Sequence, residues 1–126
     1  MNTEIKPKVI INIKRTNTFT VTIDAWYDGT RWCWNVYAYV YEAHKMFADD
    51  KWLKSLPFLE GCSYSSLQTY QPLKIDYKGQ KVGTTKVLGL DYNHLYDDPY
   101  LPDPFDGIYW KAEQDAHKLV AALESV

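Results

Sequence analysis

The sequence contains one set of residues that could perform thiol chemistry: Cys62, His94 and Asp91. A cysteine nucleophile needs a base that takes its proton, and the base needs a carboxylate that orients it. All three residues are expected in loops or at strand ends, where catalytic side chains tend to lie. No family signature surrounds Cys62, and residues of these types are scattered through most chains. A cysteine-dependent enzyme is therefore kept as an alternative function.

The segment 91–98, DYNHLYDD, could instead bind a metal ion, because carboxylate, amide and imidazole groups are all metal ligands. Its spacing matches neither an EF-hand loop nor a zinc-protease helix. Asp91 and Asn93 could equally cap the turn after a strand, and His94 could make a local hydrogen bond. No glycine-rich loop follows a strand and opens a helix, so phosphate binding is not indicated. We expect no cofactor, no metal and no catalytic residue, with the metal protein as an alternative.

The acidic segment 91–106 contains five aspartates and four aromatic residues but no lysine or arginine. Its aromatic residues could simply attach a proline-stiffened loop to the core. Alternatively, the segment presents an ordered acidic surface to a basic partner, with carboxylates where nucleic-acid phosphates would otherwise lie. On this second interpretation, the partner-binding residues of the segment are Tyr96, Asp97, Asp98, Tyr100 and Asp103.

Apolar and polar residues alternate strictly on both sides of Asp28-Gly29, from residue 19 to residue 41. This pattern predicts a β-hairpin, since Asp-Gly favours a two-residue turn with positive φ at both positions. Such a turn places Phe19 opposite Ala38 and makes one face of both strands apolar. A slip of one residue would destroy this match.

The stretch 9–13 is predicted to form a further antiparallel strand beside this hairpin, because Val9, Ile11 and Ile13 would then lie on one side. A three-residue loop at 15–17 would place Ile13 opposite Phe19, with Asn17 in the left-handed conformation. Together the three strands form a meander with one continuous apolar face.

The opposite face of the third strand carries Tyr37, Tyr39 and Tyr41, next to threonines and Asp24 of the second strand. We call the surface around these three tyrosines the tyrosine face. It is either a solvated sheet face, where Tyr and Thr have high strand propensity, or a contact surface for a partner. The second interpretation assigns Tyr37, Tyr39 and Tyr41 to partner binding.

The rest of the chain completes an α+β fold. Residues 43–56 are predicted to form a short helix or an irregular segment, and 69–92 a second hairpin with its turn near Gly79. A C-terminal helix is predicted over 104–123, with Asp103 as its N-cap. Its apolar stripe comprises Ile108, Ala112, Ala116, Leu119, Val120 and Leu123. We expect one domain, 1–126, with about five antiparallel strands and this helix packed on them.

The amino-acid composition of the chain limits the classes of function that we expect. The net charge of −2 argues against direct nucleic-acid binding, which usually needs a basic patch. The chain opens on polar residues and has no apolar stretch of membrane-spanning length, so we expect no membrane contact and a cytosolic location with both thiols reduced. The pairing of Cys33 with Cys62 stays open. Aromatic residues make up 16% of the chain, with eleven tyrosines and five tryptophans. Such a content is typical of a large hydrophobic core or of a binding surface.

A compact, aromatic-rich and acid-patched single domain without a catalytic signature resembles the small accessory proteins of bacteriophages and mobile elements. Many of those proteins block host defence, as anti-CRISPR and antirestriction proteins do. The resemblance extends over the whole chain but transfers no site residue. It implies a protein-binding inhibitor that occupies a surface of a larger host protein or ribonucleoprotein with a basic surface, in the host cytoplasm. A structural subunit that forms a homodimer through the tyrosine face is the third possibility.

Overall fold

The computed structural model describes residues 6–56, 64–70, 83–92 and 101–126. These residues form a five-stranded antiparallel sheet with the strand order β1-β2-β3-β5-β4. The elements are β1 (Val9–Arg15), β2 (Phe19–Tyr27), β3 (Trp32–Tyr41), α1 (Asp50–Ser55), β4 (Tyr64–Tyr70), β5 (Thr85–Asp91) and α2 (Trp110–Glu124). The predicted α+β class, with the C-terminal helix packed on an antiparallel sheet, is confirmed. Because β5 lies between β3 and β4, the whole sheet is not a simple meander.

The hairpin of β2 and β3 has the predicted faces but a different register. Phe19 lies opposite Val40 rather than Ala38, and the loop comprises the four residues 28–31. The predicted two-residue loop is therefore wrong. Since the shift is by two residues, every side chain keeps its predicted side of the sheet.

Hydrogen bonds within the loop explain its length. The Asp28 carboxylate accepts hydrogen bonds from the backbone N–H of Thr30 at 2.8 Å and of Arg31 at 2.9 Å. The Asp28 N–H donates to the Arg31 carbonyl, which closes the loop. Gly29 takes a φ of +105°, whereas no non-glycine residue of the described ranges has a positive φ. A type I′ turn would need a positive φ at Asp28 as well.

The pairing of β1 with β2 is also shifted by two residues from the prediction, so that Val9 lies opposite Ala25 rather than Ile23. An irregularity between Asn12 and Lys14 then moves the register by one residue. Such a bulge places one extra residue in the edge strand and increases the local twist.

The turn between β1 and β2 is built by a threonine. The Thr16 hydroxyl accepts a hydrogen bond from the backbone N–H of Phe19 at 3.0 Å, and the Thr16 N–H donates to the Phe19 carbonyl. The predicted left-handed conformation of Asn17 is not observed, because this side chain-to-backbone bond closes the turn instead.

The hydrophobic core lies between one face of the sheet and the helices. We call this the inner face; its central residues are Val21, Ile23, Trp34, Val36, Ala38 and Leu88. From α2, Ala112, Ala116, Leu119 and Leu123 are buried, as the predicted stripe requires. Asp115 is also fully buried on this side of α2, and its carboxylate accepts a hydrogen bond of 2.7 Å from the Tyr92 hydroxyl. A hydropathy pattern does not predict such a position.

The C-terminal helix begins at Trp110, six residues later than predicted. The Asp103 carboxylate caps a separate turn instead, since it accepts a hydrogen bond of 2.9 Å from the Phe105 N–H. The Asp103 carbonyl also accepts one from the Asp106 N–H. Gly107, with a φ of +157°, separates this turn from α2.

The segment before β4 contains turns and then α1, in line with the predicted short helix or irregular segment. The predicted second hairpin is confirmed as an antiparallel pair of β4 and β5. However, β4 begins at Tyr64, opposite Asp91, which is earlier than the predicted start at residue 69. The predicted turn near Gly79 lies outside the described residues.

Candidate functional site on the tyrosine face

The three tyrosines of β3 lie on the outer face of the sheet, which is the face opposite the core. Tyr37, Tyr39 and Tyr41 alternate with buried inner-face residues, and each is half-buried. The rings of Tyr37 and Tyr39 are neighbours, with centroids 6.2 Å apart. Both described helices contribute to the core on the inner face, so neither of them covers these rings.

A polar network lies beneath the tyrosine rings. Thr20, Thr22 and Asp24 of β2 are only 7%, 5% and 2% exposed, although they point to the outer face. The hydroxyl groups of Thr20 and Tyr41 are hydrogen bonded at 2.7 Å. The Thr22 side chain lies close enough to Tyr39 to lower the pKa of its hydroxyl group, against the larger effect of burial. Tyr41 of β3 therefore reaches across to β2, where Thr20 holds its hydroxyl group.

The Asp24 carboxylate is the centre of this network. Its Oδ1 accepts a hydrogen bond of 2.9 Å from the Thr22 hydroxyl, and its Oδ2 lies 3.1 Å from the Lys8 ammonium. The hydrogen bond to Asp24 raises the pKa of Lys8, while partial burial works in the opposite direction. Burial raises the pKa of the Tyr39 hydroxyl, and the negative charge of Asp24 adds to this effect. Tyr39 is thus a protonated phenol at neutral pH.

A glycine makes room for the first tyrosine. Gly89 of β5 lies opposite Tyr37 of β3. A Cβ atom at Gly89 would lie 3.3 Å from the Cε1 atom of Tyr37 and 3.4 Å from the Ser66 hydroxyl. The missing side chain lets the Tyr37 ring lie close to the sheet.

Two adjoining hollows open on this face, and Lys8 and Tyr37 line both of them. The smaller hollow, of about 440 Å³, is lined by Lys8, Asp24, Tyr37, Tyr39, Tyr41, Thr85 and Val87. The larger hollow, of about 630 Å³, is lined by Lys8, Trp26, Asp28, Arg31, Cys33, Asn35, Tyr37 and Asp91. The tyrosine face is therefore concave and polar as well as aromatic.

The larger hollow contains the described cysteine and one member of the predicted catalytic set. Cys33 is a buried free thiol, and its pKa is raised to about 11, chiefly by burial and then by the charge of Asp28. This thiol is protonated at neutral pH and is a poor nucleophile. Asp91 lines the same hollow, whereas Cys62 and His94 lie outside the described residues, so the predicted trio is not tested.

One of the predicted metal ligands lies within the described residues. Asp91 is described, while Asn93, His94, Asp97 and Asp98 lie outside the described residues. Within the described ranges, no group of three or more His, Cys, Asp or Glu side chains could hold a metal ion.

Of the acidic segment, Asp91 lines the larger hollow together with Tyr37, whereas the described residues 101–106 line neither hollow. Tyr96, Asp97, Asp98 and Tyr100 lie outside the described residues, so their role in partner binding stays a prediction. Asp103 follows Pro102, whose carbonyl accepts a hydrogen bond of 2.9 Å from the indole N–H of the inner-face residue Trp34. Asp103 therefore lies on the core side of the sheet.

Sequence reasoning missed the pairing of Lys8 with Asp24. From the sequence, Asp24 is only a polar neighbour of the tyrosine face, and Lys8 has no assigned role. Aspartate is depleted in β-strands, so an Asp within a strand was a signal that something nearby stabilises it.

Comparison with known protein families, with curated proteins and with solved structures finds no match to this chain. In the part of the chain that the structure describes, no helix has the length and apolar character needed to cross a membrane.

Proposed function

We propose that the chain is a protein-binding module that docks its partner on the tyrosine face. The observation that carries this proposal is an outer sheet face that the described helices leave open, although a hydrogen bond to Thr20 holds Tyr41 and a buried polar network lies beneath the rings. Tyrosine and tryptophan are enriched at protein interfaces, because a rigid ring offers a large contact area together with a polar group. A side chain that is already held in position loses little freedom on binding.

Exposed apolar side chains flank the network on the same face. Ile10 of β1 lies opposite Asp24 and is 58% exposed, and Trp26 of β2 is 41% exposed. The Trp26 indole N–H donates to the Asn35 carboxamide at 3.0 Å, which orients the ring. Aromatic anchors next to satisfied polar groups are the usual composition of a binding surface.

We further propose that the module acts by occupying a surface of a larger protein or nucleoprotein complex, the mode that the resemblance to anti-CRISPR and antirestriction proteins implies. The raised pKa of Cys33 supports binding over thiol catalysis at the described site, because a protonated thiol is not an activated nucleophile.

Photo-crosslinking tests the proposal directly. p-Benzoylphenylalanine placed at position 37 should capture a discrete partner in cells of the native source. The matched control carries the same residue at Gln114, which is exposed on α2. A second change, Trp26→Ala, should lower capture from position 37 by roughly 30-fold, if Trp26 is an anchor that contributes about 2 kcal/mol.

Equal capture from positions 37 and 114 would reject the tyrosine face as the interface. Crosslinks that join only two copies of this chain would replace the proposal by the homodimer alternative. Capture of the partner that persists in the double variant Trp26→Ala, Tyr39→Ala would also contradict the proposed function.

A further inference from the structure

The Asp24 carboxylate is a buried anion on the outer face of the sheet, which the described helices leave open. Only 2% of Asp24 is exposed, although the hollow of about 440 Å³ lies directly above it. A carboxylate in such a position needs a cation or several hydrogen bonds, because burial without them is costly. One of its oxygens accepts a hydrogen bond from the Thr22 hydroxyl, and the other pairs with the Lys8 ammonium; Asp24 and Lys8 both line the hollow.

The cation that now satisfies Asp24 is weakly held. The Lys8 side chain is 51% exposed, and Lys8 itself precedes β1 rather than belonging to the sheet. A half-exposed lysine gains little from one ion pair, since water and salt screen it and its long side chain must be ordered. Lys8 can therefore leave the hollow without disturbing the strands, provided that another cation takes its place.

The walls of the hollow suit a cation. Tyr37, Tyr39 and Tyr41 line it, and tyrosine rings attract positive charge through their electron-rich faces. Before any ligand arrives, the hydrogen bond to Thr20 holds Tyr41, and the missing side chain at Gly89 leaves room for the Tyr37 ring. The site is thus prepared for a positive group and already contains one from its own chain.

We propose that this hollow is a lysine-binding subsite, in which the ammonium group of a partner protein's lysine displaces Lys8 and pairs with Asp24. The inference rests on the proposed function, because it names the chemical group that the partner presents to the tyrosine face. Lysine is favoured over arginine, since a guanidinium binds best to two free carboxylate oxygens, and Asp24 Oδ1 already accepts from Thr22. Lys8 acts as a resident competitor that lowers the affinity for weaker cations.

A titration of the isolated chain tests this subsite without the partner. The probe is Nα-acetyl-lysine N-methylamide, followed through the backbone amide signals of Asp24 and Tyr39 by two-dimensional NMR. Lys8→Ala should bind the probe about tenfold more tightly than the wild type, if Lys8 fills the site about nine-tenths of the time. Asp24→Asn in the Lys8→Ala background should abolish this binding, because the amide has nearly the same shape but no charge.

The matched control variant is Lys14→Ala, which removes a lysine of β1 and its ion pair of 2.8 Å with Glu124. It should bind the probe as weakly as the wild type does. The norleucine analogue, which lacks the charge, should cause no shifts in any variant, and the arginine analogue should bind Lys8→Ala more weakly than the lysine probe.

Three results would overturn the subsite: no lysine-dependent shifts in a natively folded Lys8→Ala chain, binding that survives Asp24→Asn, or equal binding of the arginine analogue. The outcome of the crosslinking experiment does not depend on the outcome of this titration. A positive titration without any captured partner would reject the proposed function alone. A captured partner with a negative titration would reject only the lysine subsite.

Discussion

Truncation of Trp34 and of Tyr39 to alanine compares the two faces of β3 within one strand. Trp34 is fully buried on the inner face, where its ring lies 6.4 Å from that of Tyr109. Its indole N–H donates a hydrogen bond of 2.9 Å to the Pro102 carbonyl. Replacing such a residue by alanine leaves a cavity and costs about 3–5 kcal/mol. Because the Pro102 carbonyl also loses its donor, we expect a value near the upper end of that range.

Tyr39 lies on the outer face and is half-buried, so part of its ring already contacts water. Tyr39→Ala should cost about 1–2 kcal/mol, from lost ring burial and the lost interaction of its hydroxyl group with Thr22. Tyr39→Phe is the matched control, since it keeps the ring and removes only the hydroxyl group, for about 0.5–1.5 kcal/mol.

The assay is urea denaturation followed by far-ultraviolet circular dichroism at 25 °C. With a slope near 2 kcal/mol per molar urea, Trp34→Ala should lower the midpoint by about 2 M and Tyr39→Ala by less than about 1 M. Equal losses for the two alanine variants would refute the reasoning. They would mean that the outer face is covered as completely as the core, which would remove the open surface on which the proposed function depends.

Three further predictions concern single residues of the outer face and its loop. Because its pKa is about 11, Cys33 should not react with iodoacetamide at pH 7 until the chain unfolds. Mass spectrometry of the peptides distinguishes its labelling from that of Cys62. Rapid labelling of Cys33 in the native protein would contradict this prediction. The hydrogen bonds of the loop lower the pKa of Asp28 to about 2. Their contribution to stability is therefore present above pH 3.8 and is lost as the pH falls through about 2. If the Asp28 carboxyl signal titrated in NMR spectra with a midpoint near pH 4, the loop geometry would be contradicted. Gly89→Val should displace the Tyr37 ring and lower the free energy of unfolding by about 1–3 kcal/mol. The change should appear as shifted NMR signals of the Tyr37 ring and a lower midpoint of urea denaturation. Unchanged ring signals would mean that the Tyr37 ring does not contact Gly89.

Alternation along the chain was sufficient to assign side chains to the two faces of the sheet. Val21 and Val36 are buried in the core, while Tyr37 and Tyr39 lie on the outer face, as their positions predict. The physical reason is that a strand turns by half a revolution per residue, so one buried face constrains every second side chain. The apolar repeat near the C-terminus likewise predicted the buried positions of α2.

The register within those faces was not predictable in the same way. Loops of two and of four residues after Tyr27 place the same side chains in the core, and hydropathy does not distinguish between them. The choice depends on Asp28, whose carboxylate bonds to two backbone N–H groups of the longer loop. The start of α2 depended in the same way on Asp103, which capped an isolated turn rather than the helix.

The candidate site itself was decided by tertiary structure. The sequence marks Tyr37, Tyr39 and Tyr41 as a group, because they share one face of one strand. It does not show that Asp24 is buried on the same face, or that Lys8 reaches this carboxylate from outside the sheet. Burial of a polar group depends on side chains that are distant along the chain, and only the folded arrangement of three strands brings them together.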